Sequence, residues 1–157
     1  MKKVKDSEIS PQIIAEYFLT KNSLTSKKIQ KLVYYAYAWF ITLYNEDVDN
    51  INNVLFDEDP EAWIHGPVFP SLYHSYKEHG WHEVERNNEK IVFDNPEVQD
   101  LMEQIWDVFG KYSADQLEYM THQEAPWINA RKDTNESSSF RNKISKRDIF
   151  VYYNIII

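Results

Sequence analysis

The stretch Thr25-Ser-Lys-Lys-Ile-Gln-Lys-Leu-Val-Tyr-Tyr-Ala-Tyr-Ala-Trp-Phe-Ile-Thr-Leu-Tyr44 decides the fold. Thr25 supplies the hydroxyl of a helix N-cap, and no Gly or Pro interrupts the residues from Ser26 to Tyr44. Ile29, Leu32, Val33, Ala36, Phe40 and Leu43 recur at the helical period and form one apolar stripe. Tyr34, Tyr37, Ile41 and Tyr44 form a second, with Tyr35 and Trp39 between the two. Only the first turn is polar, carrying Lys27, Lys28, Gln30 and Lys31. A helix that is apolar nearly all round is contacted from several sides. The spacing therefore predicts a central, aromatic-rich helix over about 25–44, in a mainly α, compact helical domain.

Other elements are set by local chemistry. Upstream, Ser10-Pro11 is a cap followed by a first-turn proline, opening a helix with Ile13, Ile14, Tyr17 and Phe18 on one face. Downstream, the polar stretch 45–53 reads as a loop and Glu61-Ala-Trp-Ile64 as a short strand ended by His65-Gly66-Pro67. Pro70 opens a helix that stops near Gly80. Segments 82–86 and 90–93 read as a short β hairpin across Asn87-Asn88. Asn95-Pro96 starts a helix that stops at Gly110, and Ser113-Ala-Asp-Gln116 matches a capping box. Pro126 starts a short helix with Trp127, Ile128 and Ala130. The polar segment 132–139 reads as a flexible loop. Ser145 caps a last helix with Ile149 and Tyr153 inward, and Ile155-Ile156-Ile157 suits either helix or strand. No internal repeat or long linker divides the chain, so a single domain over 1–157 is expected.

Composition narrows the function. The 157 residues are 43% hydrophobic and 27% charged, which suits a globular chain. Aromatics reach 15%, and such side chains serve both cores and interfaces. Net charge is −8, from 17 basic and 25 acidic residues, which disfavours nucleic acid and suits a basic protein partner. The absence of Cys removes disulfides, thiolate nucleophiles and cysteine zinc sites. With 3 Gly there is neither a P-loop nor a dinucleotide fingerprint, and no cofactor is expected. The basic start Met1–Asp6 leads into no apolar stretch of signal-peptide length, and no run suits a bilayer. A cytoplasmic protein is expected.

Of the five histidines, His74, His79 and His82 fit surface or capped positions. His65 and His122 sit in proline-containing turns beside Trp63 and Trp127. A histidine near a carboxylate such as Glu124 has the chemistry of a general base, so a hydrolase or metalloenzyme using His65, His122 and Glu124 is one reading. It requires the three to converge on a pocket. No nucleophile motif accompanies them. The competing and favoured reading is structural, with the histidine serving backbone groups beside the proline and the Trp packing on it. Lys27, Lys28 and Lys31 place positive charge at a helix start, where the dipole disfavours it. They are therefore candidates to face a partner.

Several segments in order resemble one family: Lys28-Ile-Gln-Lys-Leu-Val-Tyr-Tyr-Ala36, Trp39, Leu55-Phe-Asp-Glu58, Glu61-Ala-Trp-Ile-His-Gly-Pro-Val68 with Pro70 and Tyr73, Tyr112-Ser-Ala114 with Leu117, and Thr121-His-Gln-Glu-Ala-Pro-Trp127. Together they resemble the Panacea domain, the SocA-like or GepA-like phage-associated family, over about 12–131. The resemblance implies a mainly helical domain without established catalysis. It also implies an antitoxin that binds and neutralises a toxin encoded next door. In one branch it implies a proteolytic adaptor that delivers the toxin to a AAA+ protease. The signature positions that match are Trp63, His65, Gly66, Pro67, His122, Glu124, Pro126 and Trp127. Three places depart from the pattern. Lys27 stands where an apolar residue is usual, Tyr37-Ala-Trp39 replaces a Gln-Gly-Trp run, and the 45–53 loop is longer. A protease-docking segment, if present, would fall in the 132–139 loop or the tail.

Overall fold

The computed structural model describes residues 1–132 and 141–156. Among these, seven α-helices carry the fold and six short strands tie their ends. They run in the order β1 (Lys2–Val4), α1 (Pro11–Leu19), β2 (Leu24–Thr25), α2 (Ser26–Leu43), β3 (Glu61–Trp63), β4 (Gly66–Val68) and α3 (Pro70–Tyr76). Then come β5 (Glu83–Val84), β6 (Ile91–Phe93), α4 (Pro96–Phe109), α5 (Ala114–His122), α6 (Ala125–Ala130) and α7 (Lys146–Ile155).

The expected caps are made. Ser10 Oγ accepts from the Ile13 N–H at 3.2 Å, Thr25 Oγ1 from Lys28 at 3.2 Å, Asn95 Oδ1 from Glu97 at 3.0 Å and Ser145 Oγ from Asp148 at 3.0 Å. Ser113 and Gln116 close a reciprocal capping box. Each satisfies an N–H that the helix itself leaves without a partner.

Helix α2 lies at the centre, and every residue from Ile29 to Ala38 is buried. Helices α1, α3, α4, α5 and α7 and strand β4 all pack against it. Its rings meet those elements directly. Tyr35 stacks on Phe109 with centroids 4.1 Å apart, Tyr37 contacts Phe56 and Phe69, and Trp39 leans on Tyr153. Each buried aliphatic or Phe side chain here contributes about 1.5–3 kcal/mol. The stripe ends before the helix does, because Leu43, expected in the core, is 49% exposed.

Two local expectations are corrected. Strands β5 and β6 exist but do not pair as a hairpin. β5 pairs antiparallel with β2, and β6 pairs parallel with β1. This turns Val84, Ile91 and Phe93 into the core, with Phe93 against Tyr17. A hairpin with β5 and β6 on each other would leave the N-terminal strands without partners. The hairpin of this fold is β3–β4, turning at Ile64-His65. Residues 142–144 lie along its outer edge: the Ala62 N–H donates to Asn142 O and the Ile144 N–H to Pro60 O, both at 2.8 Å. At the C-terminus Ile155 belongs to α7, so the strand alternative fails as far as Ile156. The polar loop 132–139, one of the two candidate docking segments, lies from 133 on outside the described residues. Among those described, no helix is long and apolar enough to cross a membrane.

Candidate functional site

The β3–β4 turn and the α5–α6 junction, far apart in sequence, form one block. Trp127, in the first turn of α6 behind Pro126, donates its indole N–H to the Trp63 carbonyl at 2.8 Å. Its ring carries His122, stacked with centroids 4.0 Å apart. Arg131, buried at the end of α6, reaches the Ala62 carbonyl at 2.6 Å and lies over the Trp127 ring. Trp63 packs against Tyr73 and Arg141. Burial pushes the His122 imidazole below its ordinary pKa, partly offset by Glu118 and a hydrogen bond to the Ile64 backbone.

The first turns of α2 dock against this block. Gln30 bonds both backbone groups of Phe69, accepting from its N–H at 2.9 Å and donating to its carbonyl at 3.2 Å. Lys31 is the correction among the partner-facing candidates, because it is buried at 1% exposure and points at the Pro67 carbonyl, 3.3 Å away. Burial lowers its pKa to about 7, with Glu118 acting to raise it and Lys27 to lower it. Gly66 makes room for it. Its φ is +110°, and a Cβ at that position would stand 2.5 Å from Lys31 Cε. Only glycine meets both demands.

Glu124 forms a second buried knot. One carboxylate oxygen accepts from Tyr153 at 2.7 Å and from Tyr35 at 3.0 Å, joining α2, the α5–α6 junction and α7. Burial raises its pKa to about 7, against the pull of both hydroxyls. The same burial raises Tyr35 and Tyr153, so all three groups favour their neutral forms.

At the surface, Lys27 pairs with Asp115 at 2.8 Å and Glu118 at 2.5 Å, and His65 lies 3.2 Å from Glu118. Burial acts against the Glu118 carboxylate, yet Lys27 and then His65 hold its pKa below the ordinary value. Lys28 donates to the Gly110 carbonyl at 2.6 Å, capping the end of α4. Lys27 and Lys28 therefore already have intramolecular partners. The three-way convergence required by the enzyme reading is not found: His65 and His122 both lie near Glu118, with His122 stacked on Trp127, whereas Glu124 bonds two tyrosines instead. Among the described residues no group of three His, Asp or Glu side chains suits a metal ion.

Sequence reasoning missed Gln30, Glu118, Arg131 and Tyr153 as members of this block. Gln30 and Lys31 read as a solvated first turn, and only the docking of β4 over them changes that. Arg131 carries no local signal, since its partner Ala62 belongs to a strand 69 positions away. Tyr153 is legible as an inward residue but not as the partner of Glu124.

A family model described as Antitoxin SocA-like, Panacea domain matches residues 29–128. The matched range runs from the first turns of α2 into α6 and includes both Trp-His-Pro turns. No curated protein and no solved structure matches the chain.

Proposed function

The chain belongs to the antitoxin SocA-like, Panacea-domain family, and on that premise we propose that it neutralises a toxin protein by binding it directly. The observation that carries this reading is the family match, which spans α2 to α6. The site chemistry supports it by its direction. Burial favours the neutral forms of Glu124 and Lys31, while His122 and Trp127 close the fold. These polar groups hold segments together. Antitoxin action then requires a surface, not a reaction centre.

Co-expression tests the reading. The neighbouring reading frame is induced alone and with this protein, and growth and co-purification are monitored. Arrest by the neighbour alone, relieved by this protein and accompanied by a stable complex, is expected. A harmless neighbour, or arrest that persists with this protein present, overturns the reading. Relief with disappearance of the neighbour's product, dependent on a AAA+ protease, assigns the adaptor mechanism instead.

A further inference from the structure

An apolar groove runs between the C-terminal half of α2 and the outer side of α4. Its volume is about 280 Å³, and Trp39, Leu43, Leu101, Ile105, Val108 and Phe109 line it, with Gln104 at the margin. Leu43 is 49% and Val108 51% exposed. These two are the places where a central helix and an amphipathic helix leave apolar surface uncovered. Positions 101, 104, 105 and 108 fall on one face of α4, a strip of about 10 Å, or two helical turns.

The margins of this groove are acidic. Glu97 and Asp100 are exposed on α4, whereas Asp107, also exposed, lies towards α1, close enough to Tyr17 to help raise its pKa after burial and Glu103. The first two lie close enough to Tyr44, next to Leu43, to help raise its pKa, after burial as the leading cause. A second cleft continues from Leu43 past Glu46 and Asp47. Helix α2 ends there without a basic residue in its last turn, so its carbonyl ends add negative potential. The basic side chains at the far end are engaged elsewhere: Lys28 on the Gly110 carbonyl and over Trp106, Lys111 over Tyr112.

We propose that this groove is the docking site for a basic, amphipathic helix of the partner toxin, seated by two apolar anchors and flanked by lysines or arginines. Helix-in-groove recognition uses anchors at i and i+3 or i+4, which matches a strip two turns long. Charge selects the occupant. A second copy docked two-fold on the same groove would bring the acidic margin formed by Glu97, Asp100 and Glu46 against the same margin of the other copy. Nucleic acid meets the same repulsion. This assignment rests on the antitoxin reading and adds to it the surface and the partner's chemistry.

The test uses the full chain and the purified product of the neighbouring reading frame. Leu43→Glu combined with Val108→Glu changes two half-exposed positions, and circular dichroism and thermal unfolding verify the fold. Asp100→Lys with Glu46→Lys reverses charges on the rim without touching the floor. Binding about tenfold weaker or more is expected for the first pair. For the second, slower association and a flatter salt dependence are expected. Glu78→Ala, exposed just beyond α3 and outside the groove, should bind as the parent does. If the parent binds and both groove variants bind equally well, the groove is overturned while the antitoxin reading stands. Loss of binding on Glu78→Ala alone moves the contact to the region beyond α3 and also overturns it. A parent that fails to bind the neighbour's product overturns the reading beneath both. A dimer of this chain that Leu43→Glu dissociates assigns the groove to a second copy and overturns the toxin helix.

Discussion

The indole N–H of Trp127 donates to the backbone carbonyl of Trp63 at 2.8 Å, joining residues 64 positions apart in sequence. The bond closes the α5–α6 junction onto the β3–β4 hairpin, and the indole is the one donor of this side chain. Trp127→Phe keeps most of the ring against His122 but leaves the carbonyl without this donor. It should cost about 1–3 kcal/mol, measured by urea unfolding at neutral pH. A change of only a few tenths would show that ring packing alone makes the joint.

Gly66→Ala meets two obstacles at once, a φ of +110° and Lys31 Cε at 2.5 Å from the new Cβ. Strain of this kind costs about 1–3 kcal/mol before any clash is counted. The two obstacles can be separated. In a Lys31→Ala background the Lys31 clash is gone, while the φ strain and the close approach to Thr121 Oγ1 at 3.0 Å remain, so Gly66→Ala should cost measurably less there than in the parent. Strictly additive effects in the double-mutant cycle would place the whole cost in the backbone and the Thr121 contact.

Glu124 and its two tyrosines predict opposite results for two substitutions. The folded carboxyl titrates at about 7, above its ordinary 4.5. The folded protein therefore holds a proton that the unfolded chain releases between those values, and this group's contribution to stability falls as pH rises from 4.5 to 7. Glu124→Gln keeps an acceptor for Tyr35 and Tyr153 and removes the titration. It should be close to the parent at pH 5 and more stable than the parent at pH 8. Glu124→Ala removes the acceptor of two buried hydroxyls, leaving Tyr153 only its longer bond to Tyr34 at 3.4 Å, and should destabilise by about 1–3 kcal/mol at either pH. Chemical denaturation at the two pH values separates these outcomes, and equal pH dependence in the parent and Glu124→Gln would refute the account.

Lys31 gives the mirror image. Burial lowers its ammonium from 10.5 to about 7, so between pH 7 and 10.5 the unfolded chain binds the extra proton. Stability from this group rises with pH across that window and carries its full penalty below 7. Lys31→Met keeps the stem beside Gly66 and removes the charge. It should stabilise the protein at pH 6 by more than it does at pH 10. A constant difference at the two pH values would mean that the ammonium finds water or a counter-charge in the folded state.

Much of the fold was legible because it is locally encoded. Ser10, Thr25, Asn95, Ser113 and Ser145 announce their helices within three residues, and the all-round apolar character of α2 announces its central position. The polar first turn of α2 misled for a physical reason. Lys31 looks like a solvated lysine until Gly66, on another strand, bends over its Cε. The strands misled likewise. Lys2–Val4 is too short and too polar to read as β structure, yet it is the partner of Ile91–Phe93, which is why the expected hairpin at 82–93 does not form. The candidate site was half legible. Its Trp, His, Glu and Pro positions stood out by their spacing, but nothing local revealed that Glu124 bonds tyrosines from the second and the last helix.

The central position of α2 also fixes when the protein can become native. Synthesis delivers this aromatic helix early, and its covers late: α4 at 96–109, then α7 at 146–155, whose Tyr153 closes over Trp39 and bonds Glu124. At ribosomal speeds the interval is on the order of ten seconds. Throughout it Tyr34 and Trp39 wait for Tyr153, open to chaperones and proteases alike. A product that stops short of Lys146 keeps that face of α2 uncovered, a mark by which quality control can tell it from a chain that has made α7.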